Sequence, residues 1–92
     1  NMKRNYYMKH NRKWGYEERP TSLYVMDTTA GFKVGIASDV VKRQGEIQSH
    51  CPLPVSVVYE EEYPTKALAG SAEREMHKVL AHRNIHSEWF AH

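Results

Sequence analysis

In FKVGIASDVVKRQGEI, residues 32–47, Lys33 stands just before a turn that starts at Gly35, and Arg43 one turn into the helix-like run that follows. Two cations near a strand-to-helix junction call for an anion, and a nucleic-acid phosphate is the anion to test. Glu73 and His77 lie four residues apart in a later helical run, so their side chains share one flank, ~5–6 Å apart at Cβ. A carboxylate there could hold a hard divalent cation through oxygen, and the imidazole could carry or orient a proton. Tyr24 is a polar residue in the middle of a strand-like run, SLYVM. Singly, each has an ordinary reading: half-buried packing for Tyr24, an outward lysine, a solvated arginine, and a surface pair worth a few tenths of a kcal/mol.

Those residues need elements to bring them together. SLYVM (22–26) and FKVGI (32–36) are rich in side chains that suit a pleated surface. The short loop DTTAG between them, with Gly31 free to take positive φ, makes an antiparallel hairpin. Ser38 or Asp39 caps a helix from about 39 to 49, with Val40, Val41, Gln44 and Ile47 as its inner stripe. Gly45 inside that helix costs ~1 kcal/mol against alanine, so it either allows close packing or marks an early end. CPLP breaks the chain. VSVVYEEEY (55–63) is a third strand, with Val55, Val57 and Tyr59 on one face and Val58 on the other. Pro64-Thr65 opens a helix over about 65–82, with Ala69, Ala72, Met76, Val79 and Leu80 inward. The expected fold is α/β in the α+β sense: a small three-stranded antiparallel sheet flanked by helices.

Composition sets bounds. A chain of 92 residues implies one domain and a modest core. One cysteine, Cys51, excludes an intrachain disulfide and a cysteine-based zinc site. No run of ~18 apolar residues exists to span a membrane, and a cytoplasmic setting is expected. The net charge of +2 says little, but its distribution says more. Residues 2–20 form a basic, aromatic arm carrying Lys3, Arg4, Lys9, Arg12 and Lys13, ahead of a folded domain at 21–92. Arms of this kind track phosphates and stack on bases; a solvated tail is the alternative. Lys42, beside Arg43, is a further candidate nucleic-acid contact. The acids Glu60, Glu61 and Glu62 are read as a solvated strand end rather than a metal cluster.

In order and spacing, these residues resemble the GIY-YIG nuclease family. SLY stands where the family writes GIY, and KVG where it writes YIG. Arg43 follows the second glycine by eight residues, and Glu73 lies in the later helix, in AEREMH. K-[IV]-G, E-x-x-[LM]-H and the closing Glu88-Trp89-Phe90 are similar to a phage-associated subgroup. The resemblance covers about residues 22–91. It implies an endonuclease that hydrolyses DNA phosphodiesters with Mg²⁺ or Mn²⁺. By position, Tyr24 would orient or deprotonate water, Arg43 would stabilise the phosphorane-like charge, and Glu73 would hold the metal. Lys33 replaces the family's second tyrosine and would hold phosphate or act as a base. His77 would carry a proton or orient a partner. The family's late asparagine has Asn84 and the Glu88-Trp89 region as candidates. Two rival functions differ in class: a module of the same fold that binds nucleic acid without cutting it, and a small phage-type interaction or inhibitor protein using the acidic run.

Overall fold

In the computed structural model, residues 19–92 are described; the basic arm read at 2–20 lies outside them except for its last two residues. The elements are β1 (Thr21–Thr28), β2 (Gly31–Ala37), α1 (Val40–Ser49), β3 (Ser56–Tyr63), α2 (Lys66–Val79), a 3₁₀ turn (Ala81–Arg83), β4 (Asn84–His86) and β5 (Trp89–Phe90). The class is α+β as expected, but the sheet has five strands, ordered β3-β1-β2-β5-β4. All pairings are antiparallel. The two extra strands come from NIHSEWF, too short to show a strand period of its own.

The β1–β2 hairpin closes on Thr28. Its hydroxyl donates to the Gly31 carbonyl (2.9 Å) and accepts from the Ala30 amide (3.1 Å). Gly31 is therefore not needed for a positive φ. It is needed for space, because a Cβ there would sit 2.7 Å from the Phe90 carbonyl oxygen on β5. The helices start where short side chains can accept from first-turn amides. Asp39 accepts from Lys42 N–H (3.0 Å) and Thr65 from Leu68 N–H (3.2 Å).

Each sheet face has its own core. Tyr24 and Met26 of β1 pack with Val40 of α1 and with Val55. Leu23, Val34 and Phe90 form the opposite cluster, against Ala72, Met76 and Leu80 of α2 and its end. Side-chain amides tie α1 down. Gln44 donates to the Val55 carbonyl (2.8 Å), and Gln48 accepts from the Val55 amide (2.8 Å).

Three expectations are corrected. Val41 and Val79, placed on the inner stripes, are exposed. In β3 the partner of Val25 is Tyr59 and that of Met26 is Val57, so Val58 is bulged out. Val57 therefore joins the Tyr24 face while Tyr59 lies opposite Val25 on the other, as a one-residue bulge requires. Gly45 neither ends α1 nor permits close packing, since a Cβ there would meet nothing within 4 Å. Gly45→Ala is expected to raise the unfolding free energy by up to ~1 kcal/mol, read as a higher urea midpoint at unchanged slope.

Candidate active site

The hairpin register decides the geometry. Tyr24 faces Gly35 and Met26 faces Lys33 across the β1–β2 pair, so Tyr24 and Lys33 share the α1 side of the sheet. Gly35 is what Tyr24 lies against: a Cβ there would be 2.5 Å from the phenol oxygen. The Tyr24 ring crosses β2 at a residue with no side chain. The hydroxyl thereby reaches the neighbourhood of Arg43, Glu73 and Glu88, all of which act on it electrostatically. It is wholly buried and has no hydrogen-bond partner within ordinary limits; Arg43 is near enough to act on it but does not complete a bond. Burial holds the phenol above the ordinary tyrosine value, and Arg43 offsets only part of that.

Beyond the hydroxyl lies a cleft of about 440 Å³ lined by Arg43, Glu73 and Glu88, with Arg19, Lys66 and Ser38 around them. Arg43 comes from α1 and donates through Nε to Glu46 (3.1 Å). Glu73 comes from α2 and Glu88 from the β4–β5 turn. That turn is held by Asn84, whose Nδ2 donates to the carbonyls of Ser87 (2.8 Å) and Trp89 (3.2 Å) on either side of Glu88. Ser87 takes the left-handed φ of 53° that so tight a turn requires. Asn84 thus positions Glu88 and does not line the cleft.

The two carboxylates differ in their support. Glu88 accepts from Lys33 Nζ at 2.6 Å, and that ammonium also lies 5.8 Å from the Trp89 ring centre. Burial acts to raise the Glu88 carboxyl, but the Lys33 bond and charge outweigh it, leaving Glu88 below the ordinary carboxylate range. Glu73, 17% exposed, is pushed up, first by burial and then by the Glu88 charge; His77 and Lys33 offset only part. His77 donates its Nε2 proton to the Val34 carbonyl (3.0 Å) and stands 4.0 Å from Glu73. Its ring packs on Phe90 at 5.2 Å.

Arg43 and Glu73 line the cleft; Tyr24 lies buried behind it and His77 stands beside Glu73, neither of them on the lining. Lys33 is beside the cleft, with its ammonium 2.6 Å from Glu88 rather than on the lining with Arg43. Arg19 and Lys66 are the cleft cations that sequence reading missed; Lys66 comes one residue after the cap of α2 with no distinguishing pattern. Glu88 was legible only as part of the closing Glu-Trp-Phe. Lys42 is exposed on α1 and away from the lining. Lys3, Arg4, Lys9, Arg12 and Lys13 lie outside the described residues.

Lys33→Met should lower stability at neutral pH by about 1 kcal/mol, since the pair is partly exposed. The sign follows from Glu88. A carboxyl lowered in the fold adds stability above its unfolded value and loses it as pH falls through its folded value. Wild type and variant should therefore converge in acid, below the ordinary carboxylate range. A constant difference in melting temperature from neutral pH into that range would refute this account of Glu88.

Among the described residues no group of three His, Cys, Asp or Glu side chains gathers closely enough to hold a metal, and no helix is long and apolar enough to cross a membrane. Comparison with protein families returns the T5orf172 domain, a phage-associated family of nuclease-like domains, matched over residues 9–92. No curated protein and no solved structure matches the chain.

Proposed function

From the premise that this chain belongs to the T5orf172 domain family, we propose that it hydrolyses DNA phosphodiester bonds in the cleft between Arg43, Glu73 and Glu88, with a GIY-YIG-like arrangement of residues. The observation that carries the reading is the meeting of two carboxylates with Arg43 and Lys66 in one cleft, above a buried tyrosine hydroxyl.

The residues fit a hard divalent cation. Glu73 and Glu88 act strongly enough on each other to shift each other's proton affinity, and a proton or a cation between them relieves that repulsion. Mg²⁺ and Mn²⁺ take oxygen ligands and keep several waters, so a carboxylate pair suffices without a third protein ligand. Glu73 would hold the ion, with Glu88 beside it. When bound, such an ion polarises the phosphate and stabilises the leaving oxygen.

The chain's own groups do the rest. Arg43 and Lys66 bind the phosphate oxygens, and Arg43 offers a planar fork for the charge that grows on them. Movement of Arg43 toward a bound phosphate uncovers the Tyr24 hydroxyl. With its proton held tightly, that hydroxyl orients water by hydrogen bonding rather than by removing a proton at neutral pH. Asn84 and Lys33 position Glu88. His77, fixed through Nε2 to the strand, supports the Glu73 charge.

The burial of the Tyr24 hydroxyl favours a second reading, in which the cleft binds nucleic acid without cutting it. Nicking of supercoiled plasmid separates the two. Conversion to open circles in Mg²⁺ or Mn²⁺, stopped by EDTA, is expected. Salt-dependent binding without nicking in either ion would leave the binding module, and nicking in EDTA would remove the metal from the reaction.

A further inference from the structure

A second cleft, of about 370 Å³, opens beside the first and is lined by Ile47, His50, Cys51, Pro52 and Trp89. Its wall toward the first cleft consists of two ion pairs, and each pair has one member in each cleft. Lys33 lines the second and Glu88 the first, joined at 2.6 Å. Glu46 lines the second and Arg43 the first, joined at 3.1 Å. The two spaces therefore adjoin across a charged ridge only one ion pair thick. They differ in chemistry: the first presents cations and carboxylates, and the second is mostly apolar, with an indole, a proline ring and an imidazole.

Resting on the nuclease reading, we propose that this second cleft receives one unstacked nucleobase of the DNA strand whose phosphate occupies the first. A strand crossing that ridge carries a phosphate on one side and, within the same nucleotide, a flat aromatic group on the other. The Trp89 indole and Pro52 ring offer flat surfaces, as stacking sites for bases do. The Lys33 ammonium beside the indole adds a cation that electron-rich rings attract. The space is large enough for a purine. Lys33 is then explained where a tyrosine is expected by resemblance: it joins the two subsites and holds both Glu88 and Trp89 in place. A base enters such a cleft only when it is out of the duplex stack, so the substrate class is DNA with an unpaired or extruded base next to the scissile phosphate, in a single strand, a branch or a flipped nucleotide.

Binding in EDTA tests this without any turnover. The probe is a short single-stranded oligonucleotide, compared with the same sequence made of abasic nucleotides and with its blunt duplex. Wild-type chain should bind the abasic strand about 5- to 100-fold more weakly than the ordinary strand. Trp89→Leu should lose most of that difference and Trp89→Phe should keep it. Because Trp89→Leu can perturb β5, Cys51 supplies a local readout in the unaltered chain. It is the chain's one cysteine, free and partly exposed. At saturation with ordinary strand its reaction with a disulfide reagent should slow several-fold; at saturation with abasic strand it should not. Equal Cys51 reactivity with the two strands, in a chain that still nicks plasmid, would overturn the base subsite and leave the nuclease reading standing. Failure to bind any of the three DNAs, together with no nicking of plasmid in Mg²⁺ or Mn²⁺, would overturn both.

Discussion

Glu73→Gln is expected to lower the metal-dependent nicking rate about 10³-fold, since several kcal/mol of metal-borne charge stabilisation would be lost. The amide keeps the shape of the side chain and loses the charge. Stability should move the other way. A carboxyl raised in the fold costs stability above its folded value, and that cost is relieved as pH falls through it. Glu73 is raised by burial and by Glu88, so the variant should melt at or above the wild-type temperature at neutral pH. The advantage should fade as pH falls into the carboxylate range. Mn²⁺ should raise the melting temperature of wild type and not of the variant, which reads the ion apart from turnover. Wild-type nicking by Glu73→Gln would take Glu73 out of the reaction. A variant less stable than wild type at neutral pH would contradict the electrostatic account of the cleft.

Gly35→Ala should damage fold and activity together. The added Cβ would lie 2.5 Å from the Tyr24 hydroxyl and 2.8 Å from the ring carbon bearing it. Tyr24 is fully buried between β2 and α1, so the ring has little room to yield. Overpacking of this kind costs ~1–3 kcal/mol. Whatever Tyr24 does for the cleft, displacing its hydroxyl by about 1 Å should reduce cleavage on the order of 10²-fold. Urea unfolding and plasmid nicking on the same protein check both. An unchanged midpoint with unchanged nicking would mean that the close approach of Tyr24 to Gly35 is not a feature of the working protein.

The glycine of KVG was legible as a motif letter, and its reason was not. From sequence it is one letter of KVG; in the fold it is the flat spot on β2 across which the tyrosine ring of the neighbouring strand lies. Glu73 and Arg43, singled out from sequence, line one cleft, and each sits on a helix whose cap and period are local. Lys33 shares the Tyr24 face, as the site needed, but its ion-pair partner was not foreseen. Its partner, Glu88, is 55 positions away in the turn between strands of three and two residues that no periodicity announces.

The hairpin, both helices, the start of the first at Ser38-Asp39 and that of the second at Pro64-Thr65 were legible in the sequence. Those features are set by hydrogen bonds and side-chain alternation over a few residues, which composition and spacing encode directly. The tertiary structure decided what depends on how distant segments cross. The Val58 bulge reversed the parity of half of β3, the NIHSEWF hairpin docked on β2, and His77 found the Val34 carbonyl 43 positions away. It also decided which cation answers which carboxylate. That choice follows from burial and from which side chains the sheet register brings face to face, and neither quantity exists until the strands have paired.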